Sequence, residues 1–143
     1  MNVRPAQPRD ADAVLALMEG LTRPAVADDP RPQRDVFLAH LDHADAEVFV
    51  VELHGQVPGA ASFWIQPRLN WTTAQAWIPD LFVDPSFRRR GAARALLDAC
   101  AAEARRRGCH RLVLESGHHR AEAHQLYEAY GFEHYARAYS LEL

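Results

Sequence analysis

The sequence predicts a single α/β domain over residues 1–143, in which helices pack on a mixed sheet that is mostly antiparallel. Three observations support this fold class. The chain has 143 residues, a length that suits one hydrophobic core and not two. Its middle contains apolar segments of strand length that end in turn residues. Its second half changes to helical spacing and back to a short apolar strand, as in a strand–helix–strand unit.

The first half of the chain predicts two helices and a hairpin. A short extended start covers residues 2–4, and residues 31–42 predict a second helix after the first. Segments rich in valine and phenylalanine at residues 47–53 and 57–65, joined by a His-Gly turn, predict a β-hairpin. Apolar residues at i, i+3, i+4 and i+7 predict the first helix: Val14, Leu17, Met18 and Leu21.

The second half predicts strands and helices in alternation. Residues 74–83 form the third long strand, antiparallel to the hairpin. A helix with one apolar stripe begins at Gly91. Residues 112–114 predict a short apolar strand, and residues 123–130 have helical spacing. The alternation in residues 132–143 predicts one or two final strands.

Composition excludes several kinds of chemistry. All 16 basic residues are arginine, so a lysine Schiff base, a phosphate-loop lysine and a lysine nucleophile are impossible. The net charge of −3 argues against a general nucleic-acid binder, although eight arginines between Arg88 and Arg111 leave room for a local anion site. With no apolar stretch of membrane length and no signal-like start, a cytoplasmic location and no membrane partner are expected. Cys100 and Cys109 are predicted to be reduced.

The segment that joins the third strand to the third helix predicts an anion site. N–H groups in the first turn of a helix lack partners within the helix, and the helix dipole adds positive charge there. A phosphate satisfies both. Gly91, Ala92 and Ala93 allow a close approach, and the arginines at residues 88–90 add charge. The alternative is a turn with solvated arginines. The glycines of a dinucleotide fingerprint are missing.

Two motifs then resemble a known family. Arg88-x-x-Gly91-x-Ala93, after the strand at residues 80–83, resembles the acyl-CoA signature of the GNAT superfamily of N-acetyltransferases, Gln/Arg-x-x-Gly-x-Gly/Ala. Residues 120–132, RAEAHQLYEAYGF, are similar to the family's second motif, an alanine before Leu/Phe-Tyr and then Gly-Phe. The resemblance implies the GNAT fold: a central twisted, mostly antiparallel sheet, a splayed parallel pair made by the fourth and fifth strands, and about four helices.

The resemblance also implies acetyl-CoA as the cosubstrate, with no metal. In the family a bulge splays the strand before the signature, and the exposed backbone groups of that strand bind the pantetheine arm; here these belong to Leu81, Phe82 and Val83. One arginine of the cluster is expected to reach the 3′-phosphate, without the sequence saying which. The pyrophosphate is implied to lie on the next segment, with the site residues Arg88, Arg89, Arg90, Gly91, Ala92, Ala93 and Arg94.

The implied reaction is direct transfer of an acetyl group to a primary amine of a small molecule or peptide, in a ternary complex. Tyr127 corresponds to the family's tyrosine that protonates the departing thiolate, a role suited to a phenol; a core aromatic is the alternative. A base must deprotonate the amine. Polyamine-acetylating members have Glu where this chain has Pro79, so Asp80, Glu115, a histidine of the 118–119 pair and water all remain candidates.

Other functions and partners stay open at this stage. Since Pro79 cannot act as a base, a catalytically silent acyl-CoA sensor on the same fold is the alternative function. Nucleic-acid binding through the arginine cluster is a third hypothesis, but no nucleic-acid partner is expected. The resemblance leaves a homodimer open. The histidines at 118, 119 and 124 lack a matching acid or cysteine pattern and are not expected to hold a metal.

An acceptor pocket is expected from two connections. One is the loop between the first two helices, which contains Pro24, Asp28 and Asp29. The other is the connection over residues 66–75, which contains Trp71, with Trp64 close before it. Acidic and aromatic side chains there would suit a cationic amine.

Overall fold

The structure is a computed structural model that describes residues 1–21 and 29–143. Its contacts divide these residues into two compact units, Met1–Val113 and Leu114–Leu143. That the chain is one domain over residues 1–143 stays a prediction. Within the described ranges, no helix is both long and apolar enough to cross a bilayer.

The first unit contains three helices and the sheet. Its elements in chain order are β1 (Asn2–Pro5), α1 (Ala11–Glu19), α2 (Arg31–Asp42), β2 (Ala46–Leu53), β3 (Gln56–Gln66), β4 (Gln75–Ile78), β5 (Leu81–Val83), α3 (Ala92–Arg106) and β6 (Leu112–Leu114), whose last residue begins the second unit. The second unit contains α4 (Ala121–Tyr130). The helix bounds follow the apolar spacing closely, and α2 has the bounds that the sequence predicts.

Local chemistry explains where these elements turn and end. The hairpin between β2 and β3 turns at His54 and Gly55, both at positive φ (51° and 76°), the conformation that tight hairpin turns with two central residues require. α3 ends just before Gly108, which is left-handed with φ of 71°. α4 ends at Gly131, with φ of 116°.

The sheet has six strands in the order β1-β2-β3-β4-β6, and β5 pairs with β3. Neighbours are antiparallel except for the parallel pair β4 and β6. α1 and α2 cover one face of the sheet, here called the α1/α2 face. The opposite face, against which α3 packs, is the α3 face. The core on the α1/α2 face consists of Ala11, Val14, Leu17, Phe37, Val48, Val50 and Ala60.

The predicted fold class is confirmed, with two corrections. The strand expected over residues 74–83 is divided into β4 and β5 by an irregular segment at residues 79–80. The prediction of one or two final strands over residues 132–143 is wrong, because this segment has no regular secondary structure. Alternation favours a strand only where another strand can pair with its backbone, and no described strand pairs here. Tyr139 is 88% exposed and Leu141 83% exposed.

Candidate active site

A β-bulge interrupts the strand that leads into α3. Trp77 of β4 pairs with Trp64 of β3, and Leu81 of β5 pairs with Ala61 of β3. Residues 62–63 of β3 therefore lie opposite residues 78–80 of the adjacent strand segment. One extra residue on one of two paired strands defines a bulge. Pro79 lies in this bulge, as its missing N–H leads one to expect.

The bulge brings Asp80 against Ser62. The Ser62 hydroxyl donates to Oδ2 of Asp80 at 2.8 Å and accepts from the Asp80 N–H at 3.1 Å. The Ser62 N–H donates to the Asp80 carbonyl at 2.9 Å. Ser62 is opposite Val48, a core residue of the α1/α2 face, so this cluster lies on that face. In a regular strand, side chains alternate between faces, so counting from Trp77 would put the Asp80 side chain on the α3 face. The extra residue of the bulge puts it on the α1/α2 face instead.

Sequence reasoning missed Ser62. Its signal is a single hydroxyl in the apolar strand segment AASFWI. Ser62 is 8% exposed, and a buried hydroxyl needs a hydrogen-bond partner. That need identifies Ser62 as a residue with a polar neighbour, but only the register of β3 against the bulge says that the neighbour is Asp80.

The sheet splays beyond the bulge. β4 continues to β6, where the Ala76 N–H donates to the Arg111 carbonyl at 2.9 Å. β5 pairs with β3 on one side, and among the described strands nothing pairs with its other edge. The backbone of β5 therefore has an edge that a ligand amide can pair with. Arg88 approaches this strand, with Nε 3.4 Å from the Val83 carbonyl oxygen.

β5 is followed closely by the start of α3. Gly91 is the residue before the helix, with φ of 84°, and no side chain caps this end. The nearest atom to a Cβ built on Gly91 is Cε of Met1, at 3.8 Å. Ala95 donates the first bond of the helix to the Gly91 carbonyl at 2.9 Å. The N–H groups of residues 92–94 lie ahead of that bond, where an anion can accept from them.

Arginines surround this helix start. Arg88 lies over the ring of Phe82, with Cζ 5.7 Å from the centroid. Arg90 lies over the ring of Phe87 at 5.5 Å. Both contacts are in the range of cation–π pairs, and both leave an exposed guanidinium beside the helix start. Positive side chains around an uncapped helix N-terminus are the combination that binds a polyanion.

The second unit carries the remaining predicted residues. Tyr127 lies on α4, half-buried, with its ring edge-on to Phe132 at 5.9 Å. Burial raises the pKa of the Tyr127 phenol above its usual range, and the charge of Arg120 opposes this shift. Glu115 follows β6 and is exposed, as are His118 and His119. Across residues 1–21 and 29–143, no group of three His, Cys, Asp or Glu residues is arranged to hold a metal ion.

The residues expected at the helix-one to helix-two loop are only partly described. Pro24 and Asp28 lie outside the described residues. Asp29 is described, and its carboxylate accepts from the guanidinium of Arg31 at 2.8 Å. Asp29 is thus engaged by a neighbour in its own segment.

The two tryptophans expected in the acceptor pocket lie in different surroundings. Trp71 stacks on His110, with ring centroids 4.2 Å apart, and is 49% exposed. Trp64 shares the α1/α2 face with Ser62 and packs against His40 and His43 of the segment that ends α2. Its indole N–H donates to Nε2 of His40 at 3.0 Å. Trp64 therefore belongs to the face that carries Asp80, whereas Trp71 stacks on a residue before β6.

Comparisons with known proteins find one family and several similar proteins. The profile of the acetyltransferase (GNAT) family matches residues 14–132. Glucosamine 6-phosphate N-acetyltransferase of Trypanosoma brucei brucei is 33% identical over 98 residues, which are 68% of this chain and 65% of that protein. An uncharacterized N-acetyltransferase of Bacillus subtilis is 29% identical over 136 residues, 93% of this chain and 90% of that protein. The aminoglycoside N-acetyltransferase AAC(6')-Iy, solved with CoA, superposes with a TM-score of 0.82 at 19% identity, covering 99% of this chain and 98% of that one.

Proposed function

The chain belongs to the acetyltransferase (GNAT) family, and on that premise we propose that it transfers an acetyl group from acetyl-CoA to a primary amine. The acceptor is a small molecule or a peptide, and transfer is direct, within a ternary complex. The relatives named above are N-acetyltransferases of a sugar phosphate and of aminoglycosides, which supports an amine as the acceptor.

One observation carries this proposal: β5 has an edge that no described strand pairs with, and residues 84–91 connect it to the uncapped start of α3. We assign the backbone of Leu81, Phe82 and Val83 to the pantetheine arm, which carries two amides. We assign the pyrophosphate to the N–H groups at residues 92–94, beside the arginines at residues 88–90. Gly91 suits this site, because its left-handed backbone and open space leave room for a phosphate where a side chain would stand.

The chemistry needs a base and an acid. The base removes a proton from the acceptor ammonium, and the amine nitrogen then attacks the thioester carbonyl carbon. A C–N bond forms, the C–S bond breaks, and the thiolate takes a proton from Tyr127. The nitrogen loses a second proton as it becomes an amide, and this proton restores the Tyr127 phenol. The raised pKa of this phenol supports the role, since it stays protonated at neutral pH. Asp80 in the bulge and the exposed Glu115 are the candidate bases, with the 118–119 histidines as further options.

A second function follows from Pro79, which cannot act as a base and stands where the family resemblance implies a glutamate in polyamine-acetylating members. A sensor that binds acetyl-CoA without turnover would keep the β5 edge and the α3 start and lose the chemistry. The two functions predict the same cofactor affinity and different product formation.

Turnover separates them. The purified chain is incubated with acetyl-CoA and one of three amines: glucosamine 6-phosphate, neamine or an alanyl peptide. Released CoA thiol is measured with a thiol reagent, and acetylated amine by mass spectrometry. Acetyl transfer predicts amine-dependent release of CoA with an acetylated product. Tight acetyl-CoA binding by calorimetry with no release from any amine supports the sensor and contradicts the enzyme.

A further inference from the structure

We propose that Ser62 is a positioning residue of the reaction, whose hydroxyl holds the Asp80 carboxylate in place so that Asp80 serves as the base. This inference rests on the proposed acetyl transfer and deepens it, because it selects the base and names the residue that orients it. The juxtaposition is the pair of hydrogen bonds between the Ser62 hydroxyl and Asp80, at 2.8 and 3.1 Å.

The direction of these bonds is fixed by counting protons. A serine hydroxyl has one proton to donate and lone pairs to accept with. Oγ of Ser62 accepts the backbone N–H of Asp80, so its single proton points to Oδ2 of the same residue. Oδ2 of Asp80 is thus the acceptor of that proton, and the Ser62 hydroxyl restrains the Asp80 side chain through it.

The restraint lies where the reaction needs a base. Asp80 immediately precedes Leu81, the first residue of the β5 edge assigned to the pantetheine arm. The rise of a strand is about 3.3 Å per residue, so the backbone of Asp80 directly adjoins the start of the edge assigned to that arm. Ser62 is buried and Asp80 half-buried, which reduces the mobility of both. Glu115 is exposed, and ordering a free carboxylate side chain on substrate costs conformational entropy.

The bulge makes this pairing available. Without the extra residue, Asp80 would point to the α3 face, among the residues that pack on α3, and Ser62 would face another side chain. With it, a carboxylate enters the α1/α2 face next to Pro79, a residue that cannot act as a base.

The proton and the electrons balance through known groups. An N–H bond of the acceptor ammonium breaks, and its proton binds Asp80, which becomes a neutral carboxyl. The freed nitrogen lone pair forms the C–N bond as the C–S bond breaks, and Tyr127 protonates the thiolate. The nitrogen loses its second proton as it becomes an amide, and this proton restores the Tyr127 phenol. The proton on Asp80 returns to solvent after the acetylated amine leaves. The Ser62 proton is not transferred at any step; it only donates to Oδ2.

The test uses variants of the full chain with whichever of the three amines the wild type acetylates fastest. Asp80→Asn is expected to lower kcat by about 100-fold or more, the usual contribution of a general base. Ser62→Ala is expected to lower kcat by about 10-fold, with KM for acetyl-CoA within about twofold, because positioning acts on the chemical step. Ser62→Thr keeps the hydroxyl and is expected to restore kcat to within about threefold of wild type. In the Asp80→Asn background, Ser62→Ala is expected to change kcat less than twofold, since both act through one group.

Ser86→Ala is the matched control. Ser86 also donates its hydroxyl to an aspartate, Asp84, at 2.6 Å, but in the turn before α3. The kcat of the Ser86→Ala variant is expected to stay within about twofold of wild type. If Ser62→Ala does not fold, Ser62→Cys replaces it, since a thiol of similar shape is a poor donor.

Three results overturn the proposal. Normal kcat in Asp80→Asn excludes Asp80 as the base, and loss of activity in Glu115→Gln alone would move that role to Glu115. Normal kcat in Ser62→Ala, or no recovery in Ser62→Thr, excludes positioning by the hydroxyl while the enzyme itself stays established by its wild-type turnover. Absence of turnover in the wild type with all three amines overturns the proposed function together with this inference.

Discussion

The ring of Phe82 lies directly against the backbone of Gly20 at the end of α1. A Cβ built on Gly20 would be 2.1 Å from Cζ of this ring and 2.5 Å from Cε1. Such distances are well inside van der Waals contact, so only a residue without a side chain allows this approach. Phe82 belongs to β5, and this contact holds the strand against α1 on the α1/α2 face.

Gly20→Ala is therefore expected to destabilise the first unit. Forcing a methyl group into a packed contact costs about 1–3 kcal/mol, which corresponds to a loss of a few degrees in Tm for a chain of this size. Thermal unfolding followed by circular dichroism measures the change. Combining it with Phe82→Leu shortens the opposing side chain and is expected to recover part of the Tm. A Tm equal to that of wild type in Gly20→Ala would contradict the contact.

Gly91→Glu is expected to abolish acetyl-CoA binding. The substitution adds bulk and negative charge where the pyrophosphate is assigned, and it strains a left-handed backbone. Calorimetry with acetyl-CoA should show affinity at least about 100-fold lower, since a carboxylate competes with the phosphates for the same N–H groups. Gly55→Glu is the control, because Gly55 is also left-handed (φ 76°) and lies in the hairpin turn. Equal losses in both variants would indicate strain alone and contradict the assigned site.

Tyr127→Phe is expected to lower kcat by about 100-fold and to leave the Kd for acetyl-CoA within about twofold. The loss is chemical, because the ring and its contact with Phe132 remain. Burial raises the pKa of Tyr127, so an alkaline fall in activity caused by this group is expected at higher pH than for an exposed tyrosine. Tyr130→Phe, on the same helix and also near Phe132, is the control and should keep kcat. Full activity in Tyr127→Phe would remove the residue from the role of acid.

Asp10→Asn is expected to lower the free energy of unfolding by about 2 kcal/mol at pH 7, the value of a hydrogen bond to a charged group. The Arg4 guanidinium donates two hydrogen bonds to the buried Asp10 carboxylate, at 2.8 and 3.0 Å. These bonds lower the pKa of Asp10, against the opposing effect of burial. As the pH falls through the usual range near 4, the unfolded chain takes up a proton that the folded chain does not, so this stabilisation is lost toward low pH.

Urea unfolding at pH 7 and pH 3 measures this dependence. The difference between wild type and Asp10→Asn should be largest at pH 7 and smaller at pH 3. Asp12→Asn is the matched control, because Asp12 pairs with Arg34 at the surface with its side chain 93% exposed. Exposed pairs contribute little, so its unfolding free energy should change little at either pH. A pH-independent effect of Asp10→Asn would show that lost packing, not the ion pair, is responsible.

Most of the fold could be predicted because its helices and strands follow from the spacing of apolar residues and from turn residues close by in the sequence. α2 and β6 have the bounds that spacing and turn residues indicate, and Gly131 ends α4 as expected. The missing strands after residue 131 show the limit of this reasoning. Alternation says which side chains would share a face, but it does not supply the partner strand that makes a strand stable.

The candidate site also has one part that local sequence predicts and another part that it does not. The assigned cofactor side consists of contiguous residues from Leu81 to Arg94, so one motif is enough to propose it, and it stays a prediction. Ser62 and Asp80 are 18 positions apart, and their contact depends on a count of residues across two strands. A sequence pattern does not contain that count, because Pro79 fits a bulge without fixing which neighbour the next side chain meets.

The bulge also affects how related sequences are to be aligned. Between Trp77 and Leu81 this chain has one residue more than the two that β3 presents between their partners. If a relative with a regular strand were aligned to this chain at Trp77 without a gap, its residues would be displaced by one position at Leu81. Residues in equivalent columns would then point to opposite sides of the sheet. Searching such relatives for an acid in the column of Asp80 would find the wrong side chain unless the gap is set by strand pairing.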